Sequence, residues 1–355
     1  MAIKKILFGV LVLTIIFWPF LFGFGLVAGI LSISGSEEEQ SEALKYHWGK
    51  EDSSHQLLSI PIYGPILDDR PEFGSFDPFL STFASYGTFI KDELYKAAEN
   101  SSIDGVILEI NSPGGTVTGS KAIADGVTYY REKTGKPVYA FASGLMASGG
   151  YWSGSSADQI IVETGSLVGS IGVVGAQFPT YNNVVELNQG ILGGGVTTTG
   201  GIEVTTITAG EGKDFGNPYR NPTEKELALA QESTDQAYDA FVNFVSSRRN
   251  LENQYVVSSI GAYVYGEEQA LSLGLIDAIG NRELAYQKLA DHLELGNDFK
   301  IVRSLQQEGF FASLLGVVSK INQPESNTLT SASLSSCFYA HRVMAYHGNV
   351  VDLCN

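Results

Sequence analysis

From Ile6 to Ile33 the chain carries no charged residue, and Leu, Ile, Phe and Val dominate the run. As a helix with ~1.5 Å rise per residue it spans roughly 42 Å, longer than the ~30 Å hydrocarbon core of a bilayer. Pro19 and the glycines at 23, 25 and 29 are tolerated in a spanning helix. Lys4 and Lys5 precede the run and Glu37-Glu38-Glu39 follows it, so the N-terminus is expected in the cytoplasm and the body outside it. A cleaved signal peptide would show an apolar region of only ~7–15 residues and an Ala-x-Ala site. Neither is present, and the pattern predicts an uncleaved anchor over residues 1–36 and a polar linker over 37–55.

Beyond the linker, short apolar runs alternate with helical periodicity. Strands are predicted at Leu57–Ile62, Gly105–Ile110, Pro137–Ala142, Gln159–Val162 and Ser170–Val174. Helices are predicted at Phe89–Ala98, at Ser120–Lys133 with Gly135 as C-cap, and from Gly149 to Ser156. Residues 66–87 read as a loop, Gly144–Ser148 as a turn, and the Gly/Thr-rich stretch 190–204 as a flexible insertion. A long helix starts at Asn221-Pro222-Thr223-Glu224, with Asn221 as N-cap, and places Leu227, Ala230, Ala237, Tyr238, Phe241 and Val245 on one face. A strand–helix pair over Tyr263–Leu289 follows. This alternation predicts a layered α/β domain with parallel strands over residues 56–296, and a Ser/Gln/Asn-rich tail over 297–355.

A chain of 355 residues can bury one sizeable core with appendages. Its net charge of −17 argues against nucleic acid or an anionic membrane surface as a partner of the folded body. The two cysteines, Cys337 and Cys354, both fall in the tail, and sequence leaves their pairing open. No metal-ligand cluster, carboxylate pair or phosphate loop stands out, so no cofactor is expected.

Two glycine-rich turns each follow an apolar strand: Ser112-Pro113-Gly114-Gly115 and Ala147-Ser148-Gly149-Gly150. Either alone is also an ordinary tight turn. Together they place a hydroxyl and backbone N–H groups at the ends of two strands, which suits a nucleophile and an oxyanion hole. Histidine occurs only at positions 47, 55, 292, 341 and 347, outside the core stretch around these turns, so imidazole from that stretch cannot activate Ser148. Between Lys136 and Lys225 there is one lysine, Lys213, in Ala209-Gly210-Glu211-Gly212-Lys213-Asp214. A lysine base must lose its proton, which requires a pKa depressed by about 3 units from its ordinary ~10.4. Glu211 and Asp214 oppose that if they face the amine. Ser170 could orient the lysine by hydrogen bonding.

These motifs, with Gly169-Ser170-Ile171-Gly172-Val173, Tyr265-Gly266-Glu267-Glu268-Gln269-Ala270 and Leu273-Gly274-Leu275-Ile276-Asp277, resemble the signal peptide peptidase A family of membrane-anchored serine proteases over residues 56–290. The resemblance implies a Clp protease/crotonase-like fold, Ser148 as nucleophile and Lys213 as general base. It also implies an oxyanion hole near Gly114 and Gly149, and Ser170 as positioner of the lysine. Family members form rings in which serine and lysine come from adjacent subunits, and they cleave signal-peptide remnants and other membrane-proximal peptides. Two departures stand out: Ala209 opens the lysine motif where serine is common, and the 190–204 insertion precedes it. Two other readings share these turns, a crotonase-like acyl-CoA enzyme and a catalytically inactive membrane scaffold.

Overall fold

A computed structural model of the chain describes residues 44–69, 84–177, 207, 209, 211–217 and 220–304, together with the backbone of 344–346. The expected membrane anchor, the 190–204 insertion and both cysteines lie outside these residues. Among the described residues no helix is long and apolar enough to cross a membrane.

The strands with continuous apolar runs form the centre of one sheet. In chain order the strands of both sheets are β1 Lys45–Gly49, β2 Gln56–Tyr63, β3 Ile66–Leu67, β4 Ser85–Tyr86, β5 Ile103–Ser112, β6 Gly114–Thr116, β7 Val138–Ala147, β8 Gln159–Val162 and β9 Leu167–Gly169. After them come β10 Val264–Gly266, β11 Ala278–Ile279, β12 Lys300–Arg303 and β13 Met344–Tyr346. The main sheet runs β1-β12-β2-β5-β7-β8-β11, parallel from β12 to β11 and with β1 antiparallel at the edge. Beside the end of β7, β9 pairs parallel with it and antiparallel with β10. A small second sheet runs β13-β6-β3-β4.

Crossover helices explain the parallel order. The helix α1 (Gly87–Glu99) leads into β5, α2 (Val117–Thr134) joins the β5–β6 hook to β7, and α3 (Gly149–Gly154) joins β7 to β8. Further along lie α4 (Glu224–Arg249), α5 (Glu267–Ser272) and α6 (Arg282–His292). Strand alternation sorts side chains to two faces. Val106, Leu108 and Ile110 of β5 pack with Ile90, Leu94, Ile123 and Val127 of α1 and α2. Ile107 turns the other way, joining Leu57, Phe141 and Ile161 under Tyr286 and Leu289 of α6. Both faces of the sheet are therefore buried, as parallel strands require.

Several boundaries differ from the sequence reading. The pleat of β7 continues through Ala147, where a turn from Gly144 was expected. Ser170–Val174 is not a continuous strand; the ladder ends at Gly169, because Ser170 has φ +52° and leaves the pleat, and a single isolated bridge follows at Val174. The N-cap of α4 is Thr223, whose hydroxyl accepts the Glu226 N–H while the Glu226 carboxylate accepts the Thr223 N–H. That reciprocal bonding outcompetes Asn221 as the cap. The sheet also takes in Lys45–Gly49 and Lys300–Arg303, residues assigned from sequence to the linker and tail.

Candidate active site

The two glycine-rich turns meet at the carboxyl ends of β5 and β7, where parallel sheets place their functional groups. β5 ends at Ser112, whose Oγ donates to the Gly64 carbonyl at 2.6 Å and accepts the Gly114 N–H at 3.1 Å. Gly114 has φ +93°, a conformation that lets the chain reverse at once into β6 and α2 without a Cβ clash. Thr116 then caps α2 by accepting the Gly119 N–H.

Ser148 sits between β7 and α3 as the N-cap residue of that helix, with φ +53° and ψ −121°. A non-glycine residue in this region is strained, and surrounding contacts must hold it there. They are visible: the Ser148 N–H donates to the Gly169 carbonyl at 2.8 Å, and its Oγ donates to the Gly172 carbonyl at 3.3 Å. Ser148 is fully buried. The Gly149 N–H opens the first turn of α3, where no intrahelical acceptor exists. At Gly150 the helix presses on the first turn, since a Cβ there would lie 2.8 Å from the Ser112 carbonyl oxygen.

Ser170 stands next to Ser148 in the sheet. Ala147 of β7 pairs with Gly169 of β9, so both serines follow paired residues and both leave their strands with positive φ. The Ser170 N–H donates to the Tyr263 carbonyl at 2.6 Å. The edge of β6 is occupied as well: β13 lies antiparallel to it, with Met344 opposite Thr116 and Tyr346 opposite Gly114.

The sequence-predicted site thus divides into two parts. Gly114, Ser148, Gly149 and Ser170 come together at one end of the sheet. Lys213 lies elsewhere in sequence and is exposed on the turn 211–216. The acids beside it are engaged elsewhere. Glu211 accepts from Lys225 at 2.9 Å. Asp214 accepts two parallel hydrogen bonds from Arg220, at 2.8 and 2.9 Å. Arg220 also grips Glu226, at 2.6 and 2.8 Å. The guanidinium holds each of these carboxyls down at about 2. Sequence reading missed this cluster. Its signal was the Thr223-x-x-Glu226 capping box, which brings Glu226 back toward the turn.

A second missed feature is Glu109, buried on the α6 side of β5. Ser59 Oγ at 2.6 Å, Arg303 at 2.6 Å and the Tyr286 hydroxyl all donate to it. Burial pushes its carboxyl up, but these donors outweigh that and leave it below the usual carboxylate value. Only the alternation of β5 announced that residue 109 would face inward.

The chain is similar to known proteins. Residues 130–296 match the model of Peptidase family S49. A protein of Methanocaldococcus jannaschii described as a candidate protease is 32% identical over 257 residues, covering 72% of this chain and 77% of the relative. A protein of Enterococcus faecium described as a candidate signal peptide peptidase SppA is 30% identical over 282 residues, covering 79% and 75%. Among solved structures, a ClpP1 variant from Listeria monocytogenes aligns at 12% identity with a TM-score of 0.37 over 65% of this chain and 94% of its own, too slight a likeness to bear on function.

Proposed function

The chain belongs to Peptidase family S49, and on that premise we propose that this protease is a membrane-bound serine endopeptidase with Ser148 as nucleophile and Lys213 as general base. The observation that carries the reading is the strained turn at Ser148, packed through Gly150 onto the Ser112 turn. A serine held between strand and helix presents its hydroxyl next to the first N–H groups of that helix. In the proposed reaction Ser148 Oγ attacks the scissile carbonyl while Lys213 Nζ takes its proton. The developing oxyanion is held by the Gly149 N–H and by N–H groups of the 114–115 turn, where Gly114 would exchange its bond to Ser112 Oγ for one to substrate. Lys213 then returns the proton to the leaving amine, and water resolves the acyl-enzyme by the same path. Ser170 orients the lysine.

The edge of β6 suits an extended peptide. The chain's own residues 344–346 lie on it as an antiparallel strand, and a peptide substrate would use the same backbone groups. In the proposed assembly the exposed Lys213 of one subunit is supplied to Ser148 of its neighbour. Leu227 and Leu229, exposed large apolar side chains in the first two turns of α4, suit a subunit contact in a ring-shaped homo-oligomer. The apolar run 6–33 anchors the enzyme with its catalytic domain outside the cytoplasm, and signal-peptide remnants or other membrane-proximal peptides are the substrates within reach.

Subunit mixing tests this reading on the full-length protein in detergent. Ser148→Ala and Lys213→Ala are each expected to abolish peptide cleavage, and co-assembly of the two is expected to restore part of it. Near-native turnover by Lys213→Ala would remove the lysine base. Inert mixed assemblies would remove the supply of lysine from a neighbour.

A further inference from the structure

Lys213 lies between two acids in sequence, an arrangement that opposes loss of its proton. A carboxylate within ~4–6 Å of an ammonium favours the charged form, commonly by about one pKa unit or more. In the structure each of the flanking acids is drawn to another cation. Glu211 goes to Lys225, and Asp214 to Arg220. Among the described residues, the charged groups around this turn are Glu211, Asp214, Arg220, Lys225 and Glu226, and none forms an ion pair with Lys213.

Arg220 is the centre of this arrangement. Its Nε and Nη2 meet the two oxygens of Asp214, its Nη1 and Nη2 meet the two oxygens of Glu226, and Nη1 also donates to the Asn221 carbonyl at 3.0 Å. Glu226 is buried and is itself half of the capping box that starts α4. One planar side chain therefore ties the lysine-bearing turn to the head of a 26-residue helix. A lysine ammonium cannot reproduce this, because bidentate pairing with two carboxylates needs the fixed fork of a guanidinium.

We propose that Arg220 is a positioning residue of the hydrolytic reaction: it fixes the Lys213 turn to α4 and holds Asp214 away from the amine that must act as base. This rests on the reading of Lys213 as base. Arg220 acts through Asp214 and the turn and does not touch substrate.

The test is the pH dependence of kcat/KM for a peptide substrate, measured on full-length oligomer in detergent. Arg220→Gln is expected to lower kcat about 10-fold with little change in KM and to move the acidic limb about one unit to higher pH. Adding Asp214→Asn to Arg220→Gln is expected to return the limb to its wild-type position, while kcat recovers only in part because the turn is no longer tied. Arg220→Lys is expected to resemble Arg220→Gln. An acidic limb that stays in place in Arg220→Gln, with kcat falling only as thermal stability falls, would overturn the proposal and leave Arg220 a structural residue. Should Arg220→Gln fail to assemble, Asp214→Asn alone decides: its limb is expected to stay within about 0.3 unit of wild type, and a fall of a unit or more would show that Asp214 already acts on the base. Lys213→Ala separates the premise from the proposal, since turnover surviving in that variant removes the base itself whatever Arg220 does.

Discussion

Gly150→Ala isolates the contact between the two turns. An added Cβ would sit 2.8 Å from the Ser112 carbonyl oxygen and 3.3 Å from Ser112 Cβ, so one side must retreat by about 0.6 Å to reach ordinary contact. Neither side moves freely. Ser112 is bonded to Gly64 and Gly114, and Gly150 belongs to the helix that Ser148 caps. Misplacement by ~1 Å at a reacting group costs about 100-fold, so a shift of this size corresponds to roughly 10-fold in kcat, or about 1.4 kcal/mol of barrier. Gly154→Ala on the same short helix provides the contrast. Its Cβ would meet the Met146 sulfur and Ile110 Cδ1, side-chain atoms of which the thioether moves easily. Both variants are expected to lose about 1–3 kcal/mol of stability by overpacking. Only Gly150→Ala is expected to lose kcat, with Gly154→Ala staying within about threefold of wild type. Steady-state kinetics beside thermal melts would show it. Wild-type kcat in a folded Gly150→Ala, or equal losses in both variants, would refute the argument that this one contact sets the turn geometry.

Other expectations follow from packing and charge. Phe241 is fully buried and stacks on Trp152 of α3 at 4.5 Å between centroids, so Phe241→Ala should cost about 3–5 kcal/mol, read as a lower urea midpoint at unchanged m-value. The folded Glu109 carboxyl lies below its unfolded value of ~4.3, so its contribution is complete above that value and is lost as pH falls through the folded one. Glu109→Gln should therefore destabilise the protein at neutral pH by about 2 kcal/mol or more, because Arg303 loses its partner, and should flatten the acid side of the stability curve; an unchanged acid slope would count against this. A chain ending at Ser304 lacks the strand that lies on β6, and its KM for peptide should fall with kcat unchanged; an unaltered KM would show that residues 344–346 do not compete for the edge.

The pattern of residues alone determined a great deal of this protein. Apolar runs of strand length separated by helical periodicity define the parallel layers, because burial on both faces demands strands without polar alternation. The motifs around Ser148, Ser170 and Lys213 were legible for a local reason: each is a short stretch whose backbone must do something unusual, and glycine or serine marks the place. Even so, Ser170 was read as part of a strand, since a positive φ leaves no trace in hydropathy. What tertiary structure decided is every relation between segments far apart in sequence. Residues 45–49 and 300–303 become neighbouring strands of one sheet only through hydrogen bonds that polar composition conceals. The same holds for the acids beside Lys213. Sequence could say only that they adjoin the lysine, whereas their direction depends on where α4 begins and on the reach of Arg220. Charge proximity along a chain is one-dimensional; the field at an amine depends on three-dimensional distance, and that the fold alone supplies.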